Sequence, residues 1–132
     1  MSREREELAR AVYEGLARGD LHPLFSLLAE DAEYVNPDFA MEPGIRRGRS
    51  EFEAAVRRIF ETFEFSRFDI ARLALVGDDL VAVLDVEGHG RTSEAPVRRR
   101  FGHLVSFRDG RIVRLEWFLD PGRALEAVGL RE

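Results

Sequence analysis

The chain has 132 residues, 45% hydrophobic and 34% charged, with a formal net charge of −5, which suits one globular domain spanning residues 1–132 with a core of its own. No run approaches the ~18 apolar residues of a membrane span, and the opening MSREREELAR lacks the apolar stretch of a signal peptide, so a cytoplasmic location without a membrane partner is expected. All 20 basic residues are arginine, and the lack of lysine and cysteine excludes Schiff-base chemistry, thiol nucleophiles, disulfides and thiolate metal sites, while the acidic balance argues against a nucleic-acid partner.

Apolar residues Leu8, Ala11, Val12, Gly15 and Leu16 recur at helical spacing and predict a helix over residues 3–18, closed by Gly19. Asp20 is the expected N-cap of a short second helix carrying Leu21, Leu24, Phe25, Leu27 and Leu28. A strand over 33–36 is stopped by Pro37. Residues 37–49 hold two prolines and two glycines, with Phe39 and Met41 between them, and read as a loop that can fold over a cavity. Ser50 and Glu53 have the spacing of a capping box, ahead of a helix whose apolar stripe is Phe52, Val56, Ile59, Phe60 and Phe63. From Ser66 the period changes to two, predicting strands over 67–76 and 80–89 joined by Gly77-Asp78-Asp79. After the loop 91–96 comes a hairpin, and Asp120-Pro121 then opens a last short helix ended by Gly129.

The hairpin, residues 97–120, allows a register to be written down. Asp109-Gly110 between two β-rich runs is a two-residue turn signal. An unbroken ladder from that turn sets Phe107 opposite Ile112, Val105 opposite Arg114, His103 opposite Glu116, Phe101 opposite Phe118 and Arg99 opposite Asp120, all on one face. An imidazole beside a carboxylate among phenylalanines can be a tuned acid or base. The other face carries Val113, Leu115, Trp117 and Leu119, with Leu104 beside them and Gly102 making room for the indole. Two apolar faces predict a homodimer that buries Trp117 through the outer side of the sheet. Asp85 reaches His103 if the preceding loop sets Arg91 opposite Val97; with the opposite face inward, Asp85 and Glu87 are solvated. The three histidines, at 22, 89 and 103, lack the spacing of a zinc site.

Within this order of elements, RGDLHPLFSLLAEDAEYVNP (18–37) and RDGRIVRLEWFLDP (108–121) resemble the second helix with first strand, and the last hairpin, of the nuclear transport factor 2-like fold. The resemblance covers nearly the whole chain and is nearest to the SnoaL-like group of small cavity proteins, which includes polyketide cyclases and proteins similar to ketosteroid isomerases. It implies an α+β fold, a cystatin-like α+β roll in which a cone-shaped, curved antiparallel sheet packs against three helices around a cavity.

Compared with the ketosteroid isomerases of this fold, Asn36 stands where a general-base aspartate precedes a proline. Tyr13 lies near the first position of their oxyanion hole and His103 at the second, so the resemblance carries over the pocket and not the catalytic trio. Compared with SnoaL-type cyclases, which close rings by aldol chemistry, His103 and Glu116 correspond to the histidine and carboxylate, with Asp120 the alternative acid. The expected function is binding of a small apolar, cyclic or polycyclic compound, with acid/base chemistry next to a carbonyl of the aldol cyclase, isomerase or dehydratase type and no cofactor. His103 would move the proton, Glu116 would orient it, and Asn36 with Tyr13 would hold the enolate oxygen. Phe52, Phe60, Phe101 and Phe118 would line the cavity, with Asp85 beside His103 as a further substrate-binding residue. The alternative is a non-catalytic binding or accessory protein.

Overall fold

Helix α1 (Ser2–Arg18) turns Ala9, Val12, Tyr13 and Leu16 inward, so its buried stripe lies about one residue round from the one periodicity suggested, and Leu8 and Ala11 are exposed. These features come from a computed structural model that describes residues 2–38 and 40–131; Phe39, expected in the loop over the cavity, lies outside the described residues. Gly19 closes α1 at φ 76°, and α2 (His22–Phe25) follows with Leu21 as N-cap. Asp20 caps from one residue earlier, its Oδ1 accepting the His22 N–H at 3.1 Å. Leu28 already belongs to β1 (Leu28–Asn36), a strand longer than its polar first half suggested.

Within the expected loop, β2 (Gly44–Arg47) pairs antiparallel with β1, setting Val35 opposite Ile45. Helix α3 (Arg49–Thr62) starts after Gly48 at φ 90°, without the Ser50–Glu53 capping box. Glu53 is committed instead to Arg49 and Arg57, at 2.9 and 3.4 Å. Strands β3 (Phe63–Val76), β4 (Asp79–Gly90), β5 (Pro96–Arg108) and β6 (Arg111–Phe118) form the long meander, and α4 (Pro121–Ala127) ends the order. The sheet runs β2-β1-β6-β5-β4-β3. It is mixed rather than wholly antiparallel, because β1 lies parallel to β6. Register shifts between Phe65 and Arg67 and between Ile70 and Arg72 bend β3.

Helices α1, α2 and α3 cover the concave face, where Leu28, Phe52, Leu80, Leu84, Val105 and Ile112 belong to the main core. The fourth helix packs on the opposite face, over Val81 and Val83 through Ala124 and Leu125. Gly102 serves that contact: a Cβ there would meet the Ala124 Cβ at 2.9 Å and the Pro121 Cα at 3.3 Å. The glycine makes room for α4, not for the Trp117 indole. No described helix is long and apolar enough to cross a membrane.

The hairpin turn forms at Asp109-Gly110, both with positive φ, 52° and 76°. Phe107 sits opposite Ile112 as expected, but the next pair is Ser106 with Arg114, which leaves Val113 unpaired as a bulge. Beyond it every partner has slipped by one residue. Val105 faces Leu115, His103 faces Trp117, Leu104 faces Glu116 and Gly102 faces Phe118. A one-residue slip reverses the faces of a strand. Leu115 and Trp117 therefore point inward, Glu116 and Phe118 outward, and the argument for a dimer that buries Trp117 outside the sheet loses its residue.

Candidate functional site

Between the concave face and the helices lies a cavity of about 310 Å³, roughly twice the ~150 Å³ apolar cavity that accommodates benzene. Helix α3 supplies Phe52, Val56, Ile59 and Phe60, and β3 supplies Phe63, Phe65 and Phe68. Tyr34 and Asn36 come from β1, Phe101 and His103 from β5, and Leu115 and Trp117 from β6. Ala40, Met41 and Glu42, from the segment between β1 and β2, complete one side. The apolar loop read from the sequence thus contributes wall, as well as an edge strand.

Two polar side chains meet in this surface. The Tyr13 hydroxyl is 3.0 Å from His103 Nδ1, both residues being buried. Their rings are held by neighbours: Phe68 stacks on Tyr13 at 6.2 Å, and Phe101 lies 5.2 Å from the imidazole. Burial lowers the His103 pKa from its ordinary 6.5 to about 3. Burial first, and the Tyr34 phenol second, push the Tyr13 phenol far above its ordinary 10. The pair is therefore uncharged at neutral pH. If the phenol donates to Nδ1, the imidazole carries its proton on Nε2; if Nδ1–H donates to the phenol oxygen, the phenolic proton is free. Either tautomer keeps one spare donor. Nε2 has no protein partner among the described residues, so a carbonyl oxygen beside this pair can be hydrogen-bonded without a charge being buried.

Asn36, 5% exposed, donates from Nδ2 to the Glu42 carbonyl at 2.7 Å and ties β1 to the segment beyond it. Burial pushes the Tyr34 phenol up to about 12, with the Asn36 amide acting in the opposite direction. Glu42 is the acidic residue in the wall, and its carboxylate is already committed. Arg58 reaches it at 2.7 Å and Arg46 at 3.6 Å, and the hydrogen bond from Arg58 holds its pKa below the usual carboxylate value.

The expected carboxylate partners of His103 lie elsewhere. Glu116 accepts from Arg114 at 3.2 Å on the other face, because of the Val113 bulge. Asp85 pairs with Arg100 at 2.7 and 2.9 Å, while the residue opposite His103 on β4 is Ala82. Asp120 is the N-cap of α4, accepting the Gly122 N–H at 2.9 Å. Phe118 packs with the α4 cluster rather than in the cavity. Tyr13, Asn36, Phe52, Phe60 and Phe101 are all in the wall, and Tyr13 is buried. Sequence reasoning missed Tyr34 and Trp117. Tyr34 could have been found two residues before Asn36 on the same strand face, but Trp117 could not be placed without the bulge.

A curved α+β roll with an apolar cavity and a buried neutral polar pair defines a class of small cavity proteins. Residues 9–115 match the model of the SnoaL-like domain, and the chain belongs to that family. Its fold matches a nuclear transport factor 2-like protein of unknown function from Burkholderia pseudomallei, at 20% identity over 94% of this chain and 96% of that one, with a TM-score of 0.74. A protein with a ketosteroid isomerase-like fold from Catenulispora acidiphila, solved with trimethylamine, matches at 18% identity over 94% and 93%, with a TM-score of 0.73. A SnoaL-like polyketide cyclase candidate from Mesorhizobium loti matches at 17% identity over 86% and 97%, with a TM-score of 0.69. These likenesses concern the fold. No curated protein matches the chain.

Proposed function

We propose that the chain binds a small, mainly apolar carbonyl compound of one or two rings and polarises its oxygen through Tyr13 and His103. The observation that carries this reading is the 3.0 Å contact between two buried, uncharged polar groups in a cavity lined mainly by aromatic and aliphatic side chains, with Asn36, Glu42 and Arg99 its other polar residues. The cavity volume lies at the low end for small-molecule sites and favours a bicyclic ligand over a larger polycycle. His103 is the electrophilic partner in this reading, not the proton carrier, since a neutral imidazole can polarise a carbonyl and burial opposes the imidazolium form. Donors aimed at an oxygen stabilise an enolate more than the ketone it comes from, which is the basis for cofactor-independent isomerase, aldol cyclase or dehydratase chemistry.

One observation favours the alternative of a carrier without chemistry: the carboxylate of Glu42, which could take a proton, is held by two arginines. Both readings are tested with α-tetralone, a bicyclic ketone, and tetralin, its hydrocarbon counterpart. Trp117, the single tryptophan, lies in the wall and makes binding visible by fluorescence. The ketone is expected to bind more tightly than tetralin, and Tyr13→Phe with His103→Leu should remove about tenfold of that advantage. Equal affinities in the unmodified protein would end the polarisation reading. Deuterium uptake at the ketone α-carbon separates the two roles: acceleration by the protein supports catalysis, and an unchanged rate supports the carrier.

A further inference from the structure

We infer that Arg99 holds a carboxylate of the ligand where the cavity opens to solvent, so that the ligand class is a keto acid. This deepens the proposed function and rests on it. The cavity wall has two charged residues, Glu42 and Arg99. Glu42 already has its counter-charges, Arg58 at 2.7 Å and Arg46 at 3.6 Å. Arg99 has none: among the described residues its side chain meets no carboxylate and makes no hydrogen bond, unlike that of its neighbour Arg100. It is exposed and yet lines the cavity, which sets it at the solvent end of the wall.

The strand accounts for both its direction and its lack of a partner. Val97, Arg99, Phe101 and His103 alternate along β5 on the inner face, and all four are in the wall. Arg100 takes the outer face, where Asp85 meets it at 2.7 and 2.9 Å. Opposite Arg99 on β4 is Val86, and opposite Val86 on β3 is Phe68, so no acceptor comes from that side. On the other side the ladder to β6 ends at Gly102 with Phe118, short of Arg99. Asp120, which an unbroken register would set opposite Arg99, is spent as the N-cap of α4.

Chemistry narrows what this cation can take. A guanidinium is a planar fork of donors with no acceptor, and it matches a carboxylate through two parallel hydrogen bonds. One guanidinium balances one negative charge, which suits a carboxylate and leaves a dianionic phosphate half compensated. The wall residues beside it, Val86, Val97 and Phe101, are apolar. A ligand that fills the cavity therefore strips water from the inner side of the guanidinium, and its donors are best met by the ligand itself. His103 and Arg99 lie on one face of one strand, and their backbones are roughly 13 Å apart at ~3.3 Å per residue. The two side chains shorten that span from both ends. A bicyclic skeleton with its carbonyl on one ring and its carboxylate on the other bridges what remains.

The test is calorimetric titration of the full chain with tetralin, α-tetralone, the α-tetralones that carry one carboxylate on the aromatic ring, and the methyl ester of each acid. The ester keeps the skeleton and removes the charge. At least one acid is expected to bind about tenfold tighter than its ester, the strength of a charge-assisted hydrogen-bonded pair. That ratio should fall towards one in Arg99→Gln, which removes the cation from an exposed side chain and keeps a polar group. It should also shrink in the unmodified chain as salt rises from about 0.05 M to about 0.5 M. A ratio near one for every pair, with α-tetralone still preferred over tetralin, overturns the carboxylate anchor and leaves the carbonyl site standing. An acid preference that persists in Arg99→Gln also overturns it, by assigning the carboxylate to another cation. An acid preference that needs Arg99, in a chain that binds α-tetralone no better than tetralin, overturns the keto acid by removing its carbonyl end. Absence of binding by all of these compounds removes the proposed function itself and this inference with it.

Discussion

The two faces of the β5–β6 hairpin are built from one stretch of chain and have opposite chemistry. The inner face carries Phe101, His103, Val105, Leu115 and Trp117, with polar groups that are neutral or unpartnered. The outer face carries Arg100 with Asp85, Arg114 with Glu116, and the apolar patch under α4. Charge is paired where water screens it, and such exposed pairs contribute little to stability. Inside, where a lone charge would be costly, burial leaves His103 uncharged. What separates the faces is one unpaired residue, Val113. The bulge sends Leu115 and Trp117 inward and Glu116 outward.

Inserting one alanine between Arg114 and Leu115 attacks that separation directly and should have the largest effect, because the residues beyond the insertion then change faces. Leu115 and Trp117 would turn out of the cavity and Glu116 into it. Losing two large inward side chains and burying a charge costs on the order of 5–10 kcal/mol, comparable to the whole stability of a small domain. The insertion variant should show no cooperative melt by circular dichroism. Deleting Val113 should do far less, since Arg114 then follows Ile112 directly and keeps Ser106 as its partner, with Leu115 and Trp117 still inward. A transition of the insertion variant close to that of the unmodified chain would mean that this register does not hold the faces apart.

The second prediction sharpens the contrast by pH. His103 titrates at its ordinary 6.5 in the unfolded chain and at about 3 in the folded one, because burial disfavours the imidazolium. Between those values the unfolded state binds the extra proton, so this contribution is fully present above pH 6.5 and is lost as pH falls towards 3. The slope is at most ~1.4 kcal/mol per pH unit, which amounts to about 2 kcal/mol by pH 5. His103→Gln removes the titration, so urea unfolding from pH 7 to pH 5 should destabilise the unmodified chain by about that much more than the variant. His22 and His89 are present in both and cancel. Parallel pH dependences would show that His103 meets water in the folded state.

The helices, the long strands, the Asp109-Gly110 turn and the Asp120 cap follow from periodicity and turn chemistry, which act over a few residues and are legible locally. The faces of β6 are not legible in the same way, because Ile112 and Phe118 make one parity apolar while Val113, Leu115, Trp117 and Leu119 make the other so. A clue was present: Arg114 and Glu116 share a parity, and two charges on one side of a strand usually mark solvent. An unbroken register sends them inward, and that conflict is itself a sign of a bulge. Tyr13 and His103 are separated by 90 residues in sequence, and only the packing of α1 across the sheet closes that gap to 3.0 Å. The family resemblance suggested those two positions. The absence of a carboxylate partner depended on register and could not be read from it.

The smallest expected effect is the most direct check on which face Glu116 occupies. In the folded chain it accepts from Arg114 at 3.2 Å, both side chains being partly exposed. Glu116→Gln removes the charge and keeps the shape, so it should leave stability nearly unchanged. Binding of α-tetralone should also be unaltered, since Glu116 is outside the cavity wall. If Gln at this position weakens the ketone severalfold, as the Tyr13 and His103 substitutions should, the carboxylate must reach the ligand. The hairpin would then occupy the register without the bulge. Stability measured on the same variant separates that outcome from simple damage, because a carboxylate brought beside a buried imidazole would be strongly coupled to it and its loss would be felt in both quantities.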